Sequence, residues 1–580
     1  MLKKHICFLY RHFKISALSI LFSVILICGI QAQDLNNITK QKPFTISGNL
    51  AASGLFYGVS GIDARSKPLS YLFSGNATIG IYGVSIPLSF VFSEQERSFR
   101  QPFNQFGLSP KWKWITLHIG YRSLNYSSFT LAGHNMLGLG IDLNPGNFRF
   151  SFMFGRFQRS VSGNSSGSAN STPAYKRRGF ATKIGYGTNK RFFDLVFLRV
   201  SDDSTSLTKD SASLKNDKTL ATLTPAANMV IGYNTHIEII PKLIFESEAA
   251  FSMYTTDRTV KDTAEAGDGL LKACGKLSQV NSTSRKNTAI RASLMYKEKF
   301  YSIMLQYKRM SPNYQSMGAY YMTSDLQQIS LEPTALLLKN KLNIRASAGL
   351  QNDNLNKAKN ATTYRLATAL NISYNPFQFF GIDASYSNYF TSQRAGSQAL
   401  LDSTKYYQVN ENILVSPRFI IANKKAAHII SLVYNFMRLN DLNSFTEGLS
   451  DYNTHNVSGN YILTLIKYSA SISIGINYTT MKMSTFTNSL LGGTIGLSKS
   501  FLKNKLSVNV PLSLQRNTCN GSSGLIMNAG STMSYRPFKK HSFSFNFNYI
   551  GNLRAATISP GIRQSAFHEF RGVVGYVFTF

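Results

Sequence analysis

The feature of this sequence that most constrains its fold is a regular alternation of apolar and polar residues. From Tyr468 to Tyr478 every second residue is apolar, and those between are Ser, Gly or Asn. Successive side chains of a β-strand point to opposite faces of a sheet, so this pattern predicts a strand with one apolar and one hydrophilic face. The same alternation recurs over 342–351, 541–549 and many other segments. Segments of about ten residues are long enough to cross a bilayer when tilted.

The connections between these segments form a second pattern, in which short turns alternate with long polar loops. Short connections occupy residues 144–147, 187–190, 241–242, 297–299, 375–378 and 466–467. Long connections occupy residues 161–174, 202–226, 256–286, 352–361, 391–405 and 439–453. This sorting is typical of barrels with periplasmic turns and extracellular loops. Since every backbone N–H and C=O in hydrocarbon needs a partner, the strands must form a closed sheet. We therefore predict an all-β fold, a single large antiparallel transmembrane β-barrel over residues 44–580.

The strand number follows less sharply from the pattern. About 25 candidate strands can be placed along the chain. Since bacterial single-chain barrels prefer even numbers of strands, we predict about 24 to 26. Short and long connections alternate regularly from Gly133 onward, but not before it. Among segments 44–58, 71–83, 84–93 and 113–123, one strand is missed or one folds inside the lumen. A barrel this wide has a large lumen, which folded-in loops, the segment 94–112 or a partner protein would fill.

The N-terminus carries an export signal. Residues 1–14 are basic, residues 15–30 are apolar, and Gln31–Asp34 follow, which is the layout of a secretory signal peptide. We predict a signal peptide over 1–32, cleaved after Ala32, and a short periplasmic segment over 33–43; a retained signal anchor is the alternative. The formal charge of +34 would suggest nucleic acid in a soluble protein. An exported chain does not meet cytoplasmic nucleic acid, so no nucleic-acid partner is expected.

The last strand gives the most specific resemblance. One face carries Gly572, Val574, Tyr576, Phe578 and Phe580, and the chain ends on Phe580. In this it resembles Gram-negative outer-membrane β-barrel proteins, whose final aromatic residue is read by the barrel assembly machinery. Segments 102–107 and 307–312 are also similar to uncharacterised barrels of the Bacteroidota. The resemblance implies a location in the cell outer membrane, with lipid, lipopolysaccharide and the barrel assembly machinery as partners.

Catalytic and metal motifs are weak. Residues 163–167 match the Gly-x-Ser-x-Gly pattern of a nucleophile elbow, but they lie in a Ser/Gly/Asn-rich loop rather than between a strand and a helix. His455 and His568 could serve a rim-site hydrolase, although a lone His near a strand end is more often an interface residue. We expect no enzyme activity, no cofactor and no metal site. Whether Cys274 and Cys519 pair in the mature chain stays open.

The candidate functional residues are charges on the lumen-facing side of the strands. The alternation places these candidate charges inward: Arg122, Arg149, Lys183, Glu238, Glu246, Glu248, Arg291, Arg345, Arg365 and Asp383. They could select permeants by charge, or they could pair with one another and carry no traffic. Paired Lys and Arg residues also recur at the short turns, where they would attract anionic head groups.

The sequence thus predicts a channel or transport conduit for hydrophilic solutes or polymers. Strand-like alternation begins near Phe44, which leaves no room for the plug domain of a TonB-dependent transporter. The alternative is a structural, secretion-associated or surface-associated barrel whose long extracellular loops bind a partner protein.

Overall fold

The computed structural model describes residues 43–94, 105–161, 173–207, 223–262, 275, 277–395, 405–554, 557–559, 562–563 and 565–580. The predicted signal peptide, residues 1–32, and residues 33–42 lie outside this range. The first strands are β1 Phe44–Ser60, β2 Leu69–Ile81, β3 Val84–Ser93, β4 Gln105–Leu108, β5 Lys111–Trp112, β6 Ile115–Asn125, β7 Leu131–Leu143, β8 Phe148–Gln158, β9 Arg177–Thr188, β10 Arg191–Asp202, β11 Ala227–Ile240, β12 Leu243–Thr255, β13 Ser284–Lys297, β14 Tyr301–Met310 and β15 Gly318–Ala319. The remaining strands are β16 Leu326–Leu337, β17 Leu342–Asn352, β18 Ala361–Phe377, β19 Phe380–Ala395, β20 Tyr407–Ala422, β21 Ala426–Asp441, β22 Tyr452–Leu465, β23 Ala470–Met483, β24 Thr487–Phe501, β25 Leu506–Cys519, β26 Ser522–Tyr535, β27 His541–Arg554, β28 Thr557–Ser559, β29 Ile562–Arg563 and β30 Phe567–Thr579. A short 3-10 helix covers Ile466–Tyr468.

The strands close into one antiparallel barrel with 26 barrel-spanning strands, each of which we call a stave. Each stave pairs with its neighbour in sequence, with β4 and β5 together forming one broken stave between β3 and β6. The last strand, β30, pairs with β27 on one side and with β1 on the other. Gly48 and Phe580 exchange two backbone hydrogen bonds of 3.0 Å at this seam. The predicted barrel is confirmed, and its strand number lies within the expected 24 to 26.

The structure corrects the interpretation of segment 94–112. Instead of filling the lumen, residues 105–112 form the stave that the alternation of short and long connections lacked. The stave is hard to recognise because Ser109 and Pro110 interrupt it, and proline cannot donate a hydrogen bond to a neighbouring strand. With this stave counted, the end of the barrel that holds Phe44 and Phe580 has only short connections, whereas the opposite end has the long loops together with two short connections, 484–486 and 520–521.

The outer face of the barrel is apolar over its middle. Leu139, Leu350 and Ile476 are each more than 60% exposed, and cross-strand pairing puts other large apolar side chains on the same face. No helix among the described residues is long and apolar enough to cross a membrane. An exposed apolar belt on a closed sheet suits hydrocarbon, because the backbone polar groups are already paired within the sheet.

Two turns at the short-turn end share one sequence and one conformation. Residues 338–341 and 502–505 both read Leu-Lys-Asn-Lys, and the first three residues of each have positive φ, between 52° and 68°. In each turn the last lysine also donates through Nζ to the carbonyl of a proline in the next short turn, Lys341 to Pro376 (2.8 Å) and Lys505 to Pro537 (2.9 Å). Equivalent turns therefore brace neighbouring hairpins.

Candidate functional site: a lumen with one covered wall

Two connections at the long-loop end fold into the lumen. Residues 126–130 link β6 to β7, and residues 311–325 link β14 to β16; together we call them the plug. The Tyr314 hydroxyl donates to the carbonyl of Phe129 (2.8 Å), and the Ser316 hydroxyl donates to the carbonyl of Thr130 (2.5 Å). Strand β15 within the second segment runs parallel to β7 and pairs with it at Leu131. The two segments therefore form one ordered body.

The plug covers the lumen side of β7 to β14 with an apolar core. Its contributions are Tyr126, Phe129, Tyr314 and Met317, all nearly inaccessible to solvent. The barrel wall contributes Leu131, Met136, Met153, Phe157, Ala181, Val196, Leu198, Val200, Ala226, Val230, Ala250, Ala289 and Met310. Burial of apolar area at roughly 25 cal/mol per Å² makes this core the main stabilisation of the plug.

Two buried polar side chains fix the plug to the wall. Glu248 on β12 accepts hydrogen bonds from the hydroxyls of Ser127 and Ser128 and from the Ser128 backbone N–H (2.9 Å). Its carboxylate also lies 2.9 Å from a guanidinium nitrogen of Arg291 on β13. Asn228 on β11 accepts from the backbone N–H of Met317 (3.0 Å). A carboxylate buried in this way is satisfied only while the plug is in place.

A buried ion pair lies near the short-turn end of the same wall. Arg149 on β8 donates to both carboxylate oxygens of Asp194 on β10, at 2.8 and 2.9 Å, and its guanidinium lies over the ring of Phe192. The two residues sit on either side of Gly185 in β9. A Cβ at position 185 would approach Asp194 within 1.9 Å, so glycine is required there for the ion pair to form.

Cross-strand pairing identifies the lumen-facing residues of every strand, because two directly paired residues lie on the same face of the sheet. All ten candidate charges lie on that side. Glu238 and Glu246 have basic neighbours, with distances of 3.8 Å to Lys190 and 2.9 Å to His236. The ammonium of Lys183 lies over the ring of Tyr126, and the guanidinium of Arg122 is partly buried.

Three of the candidate charges border the uncovered part of the wall. Arg345 on β17 and Asp383 on β19 line one cavity with Asn343, Asn371 and Ser373. Arg365 lies on β18. Among the described residues, none of these three charged groups has an ion-pair partner within 4.0 Å. They therefore remain available to solutes in the lumen.

Beyond β21 the lumen wall becomes neutral. On the described strands β22 to β26 and over 542–552 of β27, the lumen-facing positions hold no charged residue. One row across five neighbouring strands is formed by Asn460, Gly475, Thr494, Ser513 and Asn528. Most of these side chains are partly exposed, and the plug does not reach them. We call this surface, lined by hydroxyl and amide groups, the neutral wall.

Comparisons with known proteins give only distant likenesses. No known family and no curated protein matches the sequence. Among solved structures, the FrpB iron transporter from Neisseria meningitidis (F3-3 variant) is 8% identical, with a TM-score of 0.35, 92% of this chain covered and 82% of that one. The translocation pore of the P pilus usher PapC is 11% identical, with a TM-score of 0.35 and coverage of 92% and 99%. OccAB3 of Acinetobacter baumannii is 12% identical, with a TM-score of 0.32 and coverage of 62% and 93%. These low scores carry nothing about function.

The location of the protein follows from its own architecture. A closed antiparallel barrel with an apolar exterior and sorted connections is an outer-membrane protein. The C-terminal residues Tyr576 and Phe578 lie on the outward face at the short-turn end, where the Tyr576 hydroxyl is 2.8 Å from the His541 ring. Recognition of Phe580 by the assembly machinery stays a prediction.

The sequence offered folded-in loops as one filling of the lumen, but it did not indicate which connections fold in or the buried residues Asp194, Asn228 and Tyr314 on the covered wall and the plug. One signal was present in β10, where Asp194, Val196, Leu198 and Val200 face the lumen while Phe193, Leu195 and Phe197 face outward. A strand that is apolar on both faces is covered on both faces. The loop with the Gly-x-Ser-x-Gly match and Cys274 lie outside the described residues. His455 and His568 hydrogen-bond with the hydroxyls of Tyr434 and Tyr549 on neighbouring strands.

Proposed function

We propose that the protein is an outer-membrane conduit for hydrophilic solutes or polymers, and that they pass along the neutral wall. The observation that carries this proposal is the uneven lumen. The plug covers the apolar lumen side of β7 to β14, whereas the wall from β22 to β27 is hydrophilic and is covered by none of the residues that the structure describes. A hydrophilic lumen wall is typical of membrane barrels that enclose a water-filled channel.

The size of the barrel favours a large permeant. Strands about 4.8 Å apart and tilted by about 40° give 26 staves a perimeter on the order of 160 Å. A circular outline of that perimeter would measure about 50 Å between opposite backbones. The plug lies against one side of this outline, and among the described residues the rest of the lumen is wider than a monosaccharide or an amino acid needs.

The neutral wall also favours uncharged cargo. Ser, Thr and Asn side chains offer both donors and acceptors, and so exchange hydrogen bonds readily with hydroxyl or amide groups. The nearest charged residues flank this wall, with Arg345, Arg365, Asp383 and Arg418 on one side and Glu569 and Arg571 of β30 on the other. We therefore propose passive passage with weak ion selectivity, without coupling to TonB; the filling of the lumen by the barrel's own connections supports this.

Planar-bilayer recording and liposome swelling test the proposal. The purified barrel should give a large, weakly ion-selective conductance and should admit neutral oligosaccharides of increasing size. As a matched pair, Asn477→Trp on the neutral wall should lower the conductance, and Asn388→Trp on the outer face should leave it unchanged. A folded barrel with no conductance, co-purifying with a stable partner protein, would instead support the partner-binding alternative.

A further inference from the structure

Three arginines form a cluster on the outer face of the barrel at the long-loop end. Arg156 on β8 lies directly opposite Arg178 on β9. Arg199 on β10 lies opposite Phe180, one step along the same face from Arg178. Directly paired residues have Cβ atoms about 5 Å apart, and diagonal ones about 7 to 8 Å. Arg178 and Arg199 are exposed. We call these three residues the arginine cluster.

A row of phenylalanines lies beside the cluster on the membrane side. Phe152, Phe180 and Phe197 form a continuous ladder with ring centroids 5.9 and 5.7 Å apart. Aromatic girdles mark the boundary between hydrocarbon and head groups. The arginine cluster lies toward the long loops from these rings, within four residues of the long-loop ends of β8, β9 and β10, which places it toward the head groups of the outer leaflet.

The cluster carries positive charge that the described residues do not balance. Like charges directly opposite each other on paired strands destabilise a sheet. Arg156 donates to the Tyr121 hydroxyl (2.8 Å), and none of the three arginines has a carboxylate within 4.0 Å among the described residues. The pKa of Asp203, beyond the end of β10, is lowered chiefly by hydrogen bonds from Thr205, with a smaller effect of Arg178. An external anion would remove the repulsion.

We infer that the arginine cluster binds the phosphate groups of a phosphorylated glycolipid in the outer leaflet. Guanidinium groups bind phosphate oxygens through two parallel hydrogen bonds. Three of them on neighbouring strands match a head group with more than one phosphate better than a phospholipid with one. The acyl chains would lie along the exposed side chains of Phe154, Ile184 and Leu195, which are about half exposed on the same outer face.

Native mass spectrometry of the full-length barrel tests this site. The barrel is placed in zwitterionic lipid with a small fraction of diphosphorylated lipid A, and retained lipid is counted. The test variant is Arg178→Gln with Arg199→Gln, which leaves the Arg156–Tyr121 contact intact. The control is Arg516→Gln, because Arg516 is exposed, faces outward near the same end, and lies opposite Leu491 and Leu525 rather than another base.

The wild type should retain diphosphorylated lipid A at least about tenfold more tightly than the double variant, as expected for the loss of charge-assisted hydrogen bonds. The control should bind like the wild type. Equal binding by the double variant, or equal loss in the control, would overturn the site. Equal binding by the wild type of lipid A without phosphates would exclude phosphate recognition, and equal binding of phosphatidylglycerol would exclude a glycolipid. These two wild-type measurements decide the matter even if the double variant does not fold.

Discussion

Individual buried polar groups hold the plug in addition to its apolar core, and among them Glu248 accepts three hydrogen bonds from it. Its carboxylate joins Ser127 and Ser128 on the plug to Arg291 on the wall. Removing this carboxylate leaves the buried Ser127 and Ser128 donors without an acceptor, which typically costs about 1–3 kcal/mol per group, whereas Arg291 is 44% exposed and stays partly solvated. The polar part of the plug's attachment therefore rests on very few side chains, chiefly Glu248 and Asn228.

The first prediction concerns this carboxylate. Glu248→Ala should free the plug and raise single-channel conductance, because it removes the acceptor for the Ser127 and Ser128 donors and leaves Arg291 unpaired. Glu246→Ala on the same strand is the control, since Glu246 is half exposed and contacts His236 rather than the plug. Unchanged conductance in Glu248→Ala would show that the apolar core alone holds the plug.

A second prediction concerns the end of the plug at Asp325. Its carboxylate lies 2.5 Å from Lys359 Nζ and accepts the backbone N–H of Leu355 (2.8 Å). Burial opposes ionisation, but the bonds from Lys359 and the backbone outweigh it and hold the pKa of Asp325 below its usual value. Stability from a lowered pKa is present above the unfolded value, near 3.9, and is lost as pH falls through the folded value.

The plug should therefore loosen below about pH 4, which conductance recorded between pH 7 and pH 3 would reveal. Asp325→Asn should loosen the plug already at pH 7 and should flatten the part of the pH profile that belongs to this group. A profile identical to that of the wild type would assign the acid response to other carboxyls.

At the scale of elements, the two Leu-Lys-Asn-Lys turns show how local sequence shapes a hairpin. Lys339 and Lys503 have φ of 57° and 55°, a conformation that costs a non-glycine residue roughly 1–2 kcal/mol. We predict that Lys339→Gly and Lys503→Gly each stabilise the barrel by up to about 1 kcal/mol. Denaturant unfolding of the purified barrel would measure this.

The two turns serve as replicates of each other. Asn423→Gly provides the opposite control, because residue 423 does not have positive φ and its side chain accepts the backbone N–H groups of Lys425 and Ala426 at 2.8 Å. That variant should destabilise the barrel. If both lysine variants destabilised the barrel, the side-chain contacts of these lysines would contribute more to stability than the backbone strain costs.

At the scale of the whole molecule, the lumen is divided between a covered wall that carries most of the charge and an open neutral one. Charge introduced on the neutral wall should therefore govern ion selectivity. Asn477→Asp should shift the reversal potential toward cation preference, and Asn477→Lys should shift it toward anions. Asn388→Asp on the outer face is the control. If none of the three variants changed the reversal potential, the ions would have to pass elsewhere.

The sequence by itself determined the closed barrel, its outward and lumen-facing sides and nearly all of its strands. These follow from period-two alternation, because a shift by one residue would turn every apolar side chain of a strand away from lipid. Tertiary structure alone decided that residues 105–112 form a stave, since Pro110 breaks the local pattern. It also decided that 126–130 and 311–325 turn inward, because Glu248 and Asn228 meet them only after distant strands have closed into the barrel.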